Sequence, residues 1–263
     1  MNNNHFLACD LLSIYNSNES QADKLQQLTL IWLYLALKTI RRNHKYYESK
    51  EPTITEIKDL QQDIHNNIDF LEHQGKEINA IIENHLIQTY KDVYNSACKH
   101  LNAYHYNMPS YEELKNLVSE VWVGEKNFKE RTFWNLRQVH KAYVEILKNE
   151  KLTHEEREKA LKKLQQNYWY RLHRLIRTET MHIFFKASMK AYSESGVKYV
   201  RWITTMDEKT CPICWRRDLR VYPIDLCPKY PDHPFCRCVL IPYVKRKKGI
   251  NRAVKGTYKR VEL

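Results

Sequence analysis

Between residues 210 and 238 the chain reads TCPICWRRDLRVYPIDLCPKYPDHPFCRC, which places five of its seven cysteines and its last histidine in one short segment. Pro212, Pro228, Pro231 and Pro234 make this stretch rich in turns, with little core in which reduced thiols could simply be buried. Cys211 and Cys214 form a C-x-x-C pair, Cys236 and Cys238 form a C-x-C pair, and Cys227 and His233 lie between them. A tetrahedral zinc ion takes four thiolate or imidazole ligands, and two pairs offered from two turns require only one loop closure. The segment therefore reads as a zinc knuckle held by Cys211, Cys214, Cys236 and Cys238, with His233 able to replace one of them and Cys227 left as a spare thiol. The N-terminal MNNNHFLACDLLSIYNSNES has neither the basic start nor the apolar run of a secretory signal. The expected compartment is a reducing cytoplasm, where an odd number of cysteines argues for metal or free thiols over disulfides.

Three enzymatic readings of the same residues fail. A zinc deaminase needs H-x-E ahead of P-C-x-x-C. His154-Glu155-Glu156 supplies the first element, but it follows Thr153 at a helix start, and Thr210 stands where the proline should be. A histidine-metal nuclease needs ligands on a downstream helix, yet His233 is the last histidine. A cysteine nucleophile needs a base beside it, and His233 could serve only by leaving the metal.

The rest of the chain is helical in pattern. Apolar residues recur at three and four spacing over 24–47, and Pro52 disfavours helix at Glu51, so residues 1–50 read as a helical arm. The longest apolar run, LTLIWLYLAL at 28–37, is too short to span a bilayer and reads as a buried or docking helix. A second helical segment is expected over 51–108, with Gly75 as a possible interruption. Ser110 with Glu113 and Thr153 with Glu156 have the spacing of capping boxes, and Gly124 is expected to end the first of those two helices. The second helix carries an apolar stripe of Trp169, Leu172, Leu175, Ile176, Ile183, Phe184 and Ala187, and Gly196 stands at its C-cap. Beyond Gly196, VKYVRWITT and LRVYPI are strand-like. The fold class is thus mainly α (α+β): an elongated helical body with a small C-terminal β-hairpin and zinc knuckle over 197–243.

The formal charge of +12 predicts attraction to polyanions. Much of it sits in a tail, 244–263, where Lys245, Arg246, Lys247, Lys248, Arg252, Lys255, Lys259 and Arg260 face only Glu262. These residues are the candidate contacts to nucleic acid phosphates.

LIRTE at 175–179, the segment from Gly196 through TTMDEKTCPIC, and HPFCRC from His233 together resemble the Mu F-like phage head morphogenesis family, the minor head proteins of tailed phages. The motif positions are Arg177, Glu179, Thr205, Asp207, Thr210, Cys211, Cys214, His233, Pro234, Cys236, Arg237 and Cys238. GEKNFKERTFWNLRQV is similar to the family's upstream segment, so the resemblance spans about 105–243 and suggests a domain over 109–243. Two departures are WRRDLRVY, where the family often has a glycine after the knuckle, and the additional Cys227. The resemblance implies a structural protein and not an enzyme, carried inside the phage head near the portal and assembled in the host cytoplasm. Its implied partners are the portal protein, the major capsid or scaffolding protein, and packaged double-stranded DNA bound without sequence preference, with no membrane. The arm at 24–47 would be a docking surface on another virion protein. Arg177 or Glu179, two apart on a helix and so unable to pair with each other, would tie the long helix to Asp207 or Arg237. A zinc-knuckle DNA-binding regulatory protein is the alternative of a different class.

Overall fold

The structure is a computed structural model that describes residues 54–103, 107–149 and 151–243. The arm expected at 24–47 and all eight cations assigned to the tail lie outside the described residues. Within them the order is α1 (Ile54–His100), α2 (Tyr111–Val118), α3 (Phe128–Lys148), α4 (His154–Glu194), β1 (Tyr199–Ile203), α5 (Pro212–Arg217), β2 (Val221–Pro223), a short 3-10 turn (Ile224–Leu226) and β3 (Val239–Pro242).

Three helices begin with the same local chemistry. In α2 the Ser110 hydroxyl accepts from the Glu113 amide at 3.3 Å, while the Glu113 carboxylate accepts from the Ser110 amide at 2.7 Å. Thr153 and Glu156 repeat this at α4, and Asn127 and Glu130 at α3, where the N-x-x-E signal had not been used in reading the sequence. Each box satisfies orphan amides of the first turn and contributes about 1 kcal/mol. The end of α4 is equally local: Gly196 has φ +71°, its amide donates to Ser193 O at 3.0 Å, and the Val197 amide donates to Tyr192 O at 2.9 Å. That is the Schellman arrangement in which only a residue tolerant of left-handed backbone fits well. Gly124 does not end α2, which stops at Val118; it occupies a left-handed turn six residues later.

Gly75 does not interrupt α1, which runs unbroken for 47 residues, about 70 Å at helical rise. Its reason is tertiary: a Cβ there would lie 2.7 Å from the Phe133 ring and 2.9 Å from Leu136, so glycine lets α3 cross α1 closely. Further along α1, Ile82, Leu86, Tyr90, Val93, Tyr94 and Ala97 keep a three- and four-residue spacing and are buried against α4. The α4 side of this core is Tyr168, Leu172, Leu175, Ile176, Ile183, Phe184 and Ala187. Trp169, placed in the stripe by sequence, is instead 40% exposed, because the buried face begins one residue earlier, at Tyr168.

The β unit is a three-stranded antiparallel sheet in the order β2-β1-β3 and not the expected two-stranded hairpin. Trp202 pairs with Leu240 and Val200 with Tyr222, and Val200 and Trp202 point into the core. The missed strand, VLIP, is only four residues long and ends in Pro242, which an edge strand tolerates because the proline nitrogen faces the open edge while the next residue, Tyr243, donates to β1. The Tyr192 hydroxyl donates to Leu240 O at 2.8 Å and ties the last turns of α4 to β3.

Gly75→Leu is expected to lower stability by about 1–3 kcal/mol through overpacking at the α1–α3 crossing. Gly75→Ala should be milder, since its gain in helix propensity, about 1 kcal/mol, offsets part of the clash with the Phe133 ring. Urea denaturation of the two variants checks the ranking.

Candidate metal centre

Cys211 ends the loop after β1 and caps α5: its sulfur accepts from the Cys214 amide at 3.3 Å, with Pro212 in the first turn. One turn of helix thus aims both sulfurs of the C-x-x-C pair to the same side. His233 Nε2 lies 3.2 Å from Cys211 Sγ and 3.2 Å from Cys214 Sγ, and Cys214 Sγ lies 3.6 Å from Cys236 Sγ. The donors form two overlapping triads, Cys211–Cys214–His233 and Cys214–Cys236–Cys238, each with all its donor atoms within 4.8 Å of one another. Cys214 belongs to both. His233 Nδ1 sits 2.8 Å from Pro234 O, so the proton belongs on Nδ1 and the Nε2 lone pair faces the sulfurs, the tautomer a metal requires.

The thiols also share protons. Hydrogen bonds from Cys214 and Cys238 hold the Cys236 thiol far below its ordinary range, and the same contacts push Cys214 and Cys238 well above theirs. Sulfurs crowded this closely, with Cys214, Cys236 and Cys238 buried, suit replacement of their protons by a soft divalent cation. Cys227 stands outside both triads, and burial pushes its thiol up to about 11 against a smaller opposing effect of Arg217.

Two motif residues brace this centre. Arg237, between the two cysteines of the C-x-C pair, donates both guanidinium nitrogens to Asp207 at 2.5 Å each. Asp207 is fixed in turn by the Lys209 amide at 3.0 Å and the Thr210 hydroxyl at 3.1 Å, in the loop that leads into Cys211. Arg237 holds the Asp207 carboxyl at about 2, well below the usual carboxylate range. The pair therefore latches the C-x-C loop to the C-x-x-C loop, and its bidentate geometry matters more than the modest energy of a partly exposed ion pair. Behind the centre, Trp202 is fully buried and packs edge-on against Tyr230 with ring centroids 5.5 Å apart. Trp215, next to Cys214 in α5, is instead 53% exposed.

Arg177 and Glu179 have different partners from those expected. Arg177 reaches the metal loop, but through the Phe235 ring, 5.3 Å from its guanidinium carbon, and not through Asp207. Glu179, 1% exposed, faces away from the loop: Arg131 donates to it, and the Trp122 indole donates at 2.8 Å. The Trp122 ring lies flat on His182, centroids 4.1 Å apart, and His182 Nε2 is 3.1 Å from Glu120. Burial raises the Glu179 carboxyl, with Arg131 and Trp122 opposing that effect. Arg131, Trp122 and Phe235 escaped the sequence reading, although KERTFW and HPFCRC contain two of them.

Residues 137–241, from within α3 into β3, match the family model described as Phage Mu protein F like protein, so this region is similar to that family. The bounds of the match lie inside the span of the sequence resemblance. No curated protein and no solved structure matches the chain. No helix among the described residues is long and apolar enough to cross a membrane.

Removing one side of the buried pair should cost more than neutralising the other. Arg131→Met leaves a carboxylate uncompensated beside Trp122 and is expected to destabilise by about 3–5 kcal/mol. Glu179→Gln keeps an acceptor for the indole and leaves Arg131 access to water, so the loss should be about 1–2 kcal/mol. Chemical denaturation of both variants tests the order.

Proposed function

We propose that this chain is a minor head protein of a tailed phage or prophage, bound to the portal inside the head and acting in head morphogenesis and DNA packaging or ejection without catalysing a reaction. The observation that carries this reading is the coincidence of the Mu F-like match over 137–241 with the segment holding the cysteine-histidine cluster. The helical body offers long surfaces for assembly contacts, and the tail, with its run of lysines and arginines at 245–260, supplies charge for non-specific contact with packaged duplex. The major capsid or scaffolding protein is a further partner. The resident metal in this reading is Zn2+, whose preference for thiolate and imidazole the donor set meets. Cys211, Cys214, His233 and Cys236 or Cys238 would hold it, and it would supply structure, closing a β unit too small to hold itself together.

Protein purified without chelator should contain about one zinc per chain, as a closed structural site does. Cys214→Ser, which removes the donor common to both triads, should abolish that zinc and unfold the region after Gly196 while far-UV circular dichroism keeps most of its helical signal. Zinc retained in full by that variant would exclude the proposed site.

The head assignment is tested in prophage-induced cells carrying a tagged chain. Procapsids isolated from them should contain the tagged protein, and procapsids formed without portal protein should not. A tagged chain absent from procapsids but bound alone to duplex DNA with sequence preference would instead favour the regulatory reading.

A further inference from the structure

The exposed side of α4 carries a pattern that neither the metal centre nor the head assignment uses. From Lys159 to Thr178 this helix contains six lysines and arginines and no carboxylate. Five of them share one side of the helix, and Arg171 lies at its flank. Lys159, Lys162 and Lys163 begin a three- and four-spaced row that continues through Gln166 to Trp169 and Tyr170 and then to His173, Arg174 and Arg177. The buried residues Leu161, Tyr168, Leu172 and Leu175 occupy the opposite side. The row is about 27 Å long at helical rise.

Its middle is a set of rings in mutual contact. Trp169 stacks on His173 with centroids 5.6 Å apart, and Tyr170 lies under the Arg174 guanidinium at 5.9 Å. Phe235 comes from the metal loop to join them, 5.8 Å from Tyr170 and 5.5 Å from His173. Phe235 holds φ +61°, a left-handed backbone that costs about 1 kcal/mol or more for a side chain of this kind, so the loop accepts strain while delivering its ring to α4. Despite these contacts, Trp169 remains 40% and Tyr170 50% exposed. Large rings left facing solvent between cations, with no acid among them on the helix, are complementary to a polyanion that also presents flat apolar faces.

We propose that this face, Trp169 and Tyr170 with Phe235 between flanking lysines and arginines, binds single-stranded nucleic acid. Bases would stack on the rings while the cations follow the phosphates, the combination by which strands are held without reading their sequence. Duplex DNA satisfies only half of the surface, because its bases are already stacked and its phosphates have no use for the indole. An acidic protein segment satisfies the charges but offers the rings no planar partner. The row has room for about four to six unpaired nucleotides. Because Phe235 lies between His233 and Cys236, the face is complete only when the metal loop is in place. The proposal goes beyond the head assignment and differs from the phosphate contacts assigned to the tail.

The test uses the full chain and fluorescence anisotropy with a labelled 15-nucleotide oligo(dT) and a labelled 15-base-pair duplex, at salt high enough to suppress purely ionic binding. The unaltered chain should prefer oligo(dT). Trp169→Ala combined with Tyr170→Ala, both at exposed positions, should weaken oligo(dT) at least tenfold with little change in duplex affinity, and Trp169→Phe should restore part of the loss. Replacing Lys245, Arg246, Lys247 and Lys248 by glutamine serves as the tail control and should weaken the duplex more than oligo(dT). Unchanged oligo(dT) binding by the double variant overturns the proposal, as does a parallel loss for both probes. Competition by polyglutamate as effective as by unlabelled oligo(dT) also overturns it and points to an acidic protein. None of these outcomes alters whether the chain enters procapsids, so the two readings fail separately.

Discussion

Helix α4 has to satisfy two cores along one rod. Its middle packs against α1 and α3, and its C-terminal turns receive the sheet, with Tyr192 bonded to β3 and Phe185 against Tyr230, ring centroids 5.7 Å apart. Between these regions lies Glu179, a charge in a place that would reject it without partners. Taking a carboxylate out of water costs several kcal/mol, and only Arg131 from α3 together with Trp122 from the preceding loop makes the position tolerable. The carboxylate therefore fixes where α3 and the 119–127 loop must lie if α4 is to be buried at all. The stacked Trp122–His182 pair extends the same requirement one turn further, where burial lowers the imidazole below its ordinary range. The packing of α4 and the placement of its neighbours are one problem, solved jointly.

What could be read from sequence follows the range of the interactions involved. Capping boxes at Ser110 and Thr153 and the glycine after α4 act over three to five residues, so spacing alone revealed them. The convergence of the cysteines and histidine was equally legible, because a turn brings Cys211 and Cys214 together whatever surrounds them. The structure adds that His233 stands against both of those sulfurs, at 3.2 Å from each. Gly75 was opaque for the opposite reason: its cause is a ring 58 residues away in sequence. Glu179 and Arg131 are separated by 48 residues, so the motif pointed to Glu179 without disclosing its partner. Trp169 shows how little error is needed, since one residue along a helix turns a side chain by about 100° and carries it from core to solvent. β3 was lost because four residues ending in proline give almost no periodic signal.

The β unit illustrates how a very small fold is stabilised. Its strands are five, three and four residues long, at the short end of the usual range. Three different supports compensate. One face packs Val200 and Trp202 inward against Tyr230 and α4; the loops at its end converge on the cysteine-histidine cluster; and the Asp207–Arg237 latch joins those loops from outside. The supports differ in character, one apolar, one a cluster of thiols and imidazole and one ionic, so heat and salt should act mainly on the first and the last, and chelation on the second under the proposed zinc reading.

The connection of Tyr243 to the sheet has a mechanical meaning. Its amide donates to Tyr199 O at 2.8 Å, at the outermost position of the β1–β3 ladder, and β3 is an edge strand. A load applied at this end and directed away from the sheet meets the ladder one bond at a time, and an antiparallel edge opened in that way peels at low force. The same load directed along β3 engages the paired residues of β1 and β3 together, from Ile203 opposite Val239 to Val200 opposite Pro242, and reaches α4 through the Tyr192 hydroxyl. The joint is therefore anisotropic: weak to tension that lifts the strand, strong to tension drawn along it.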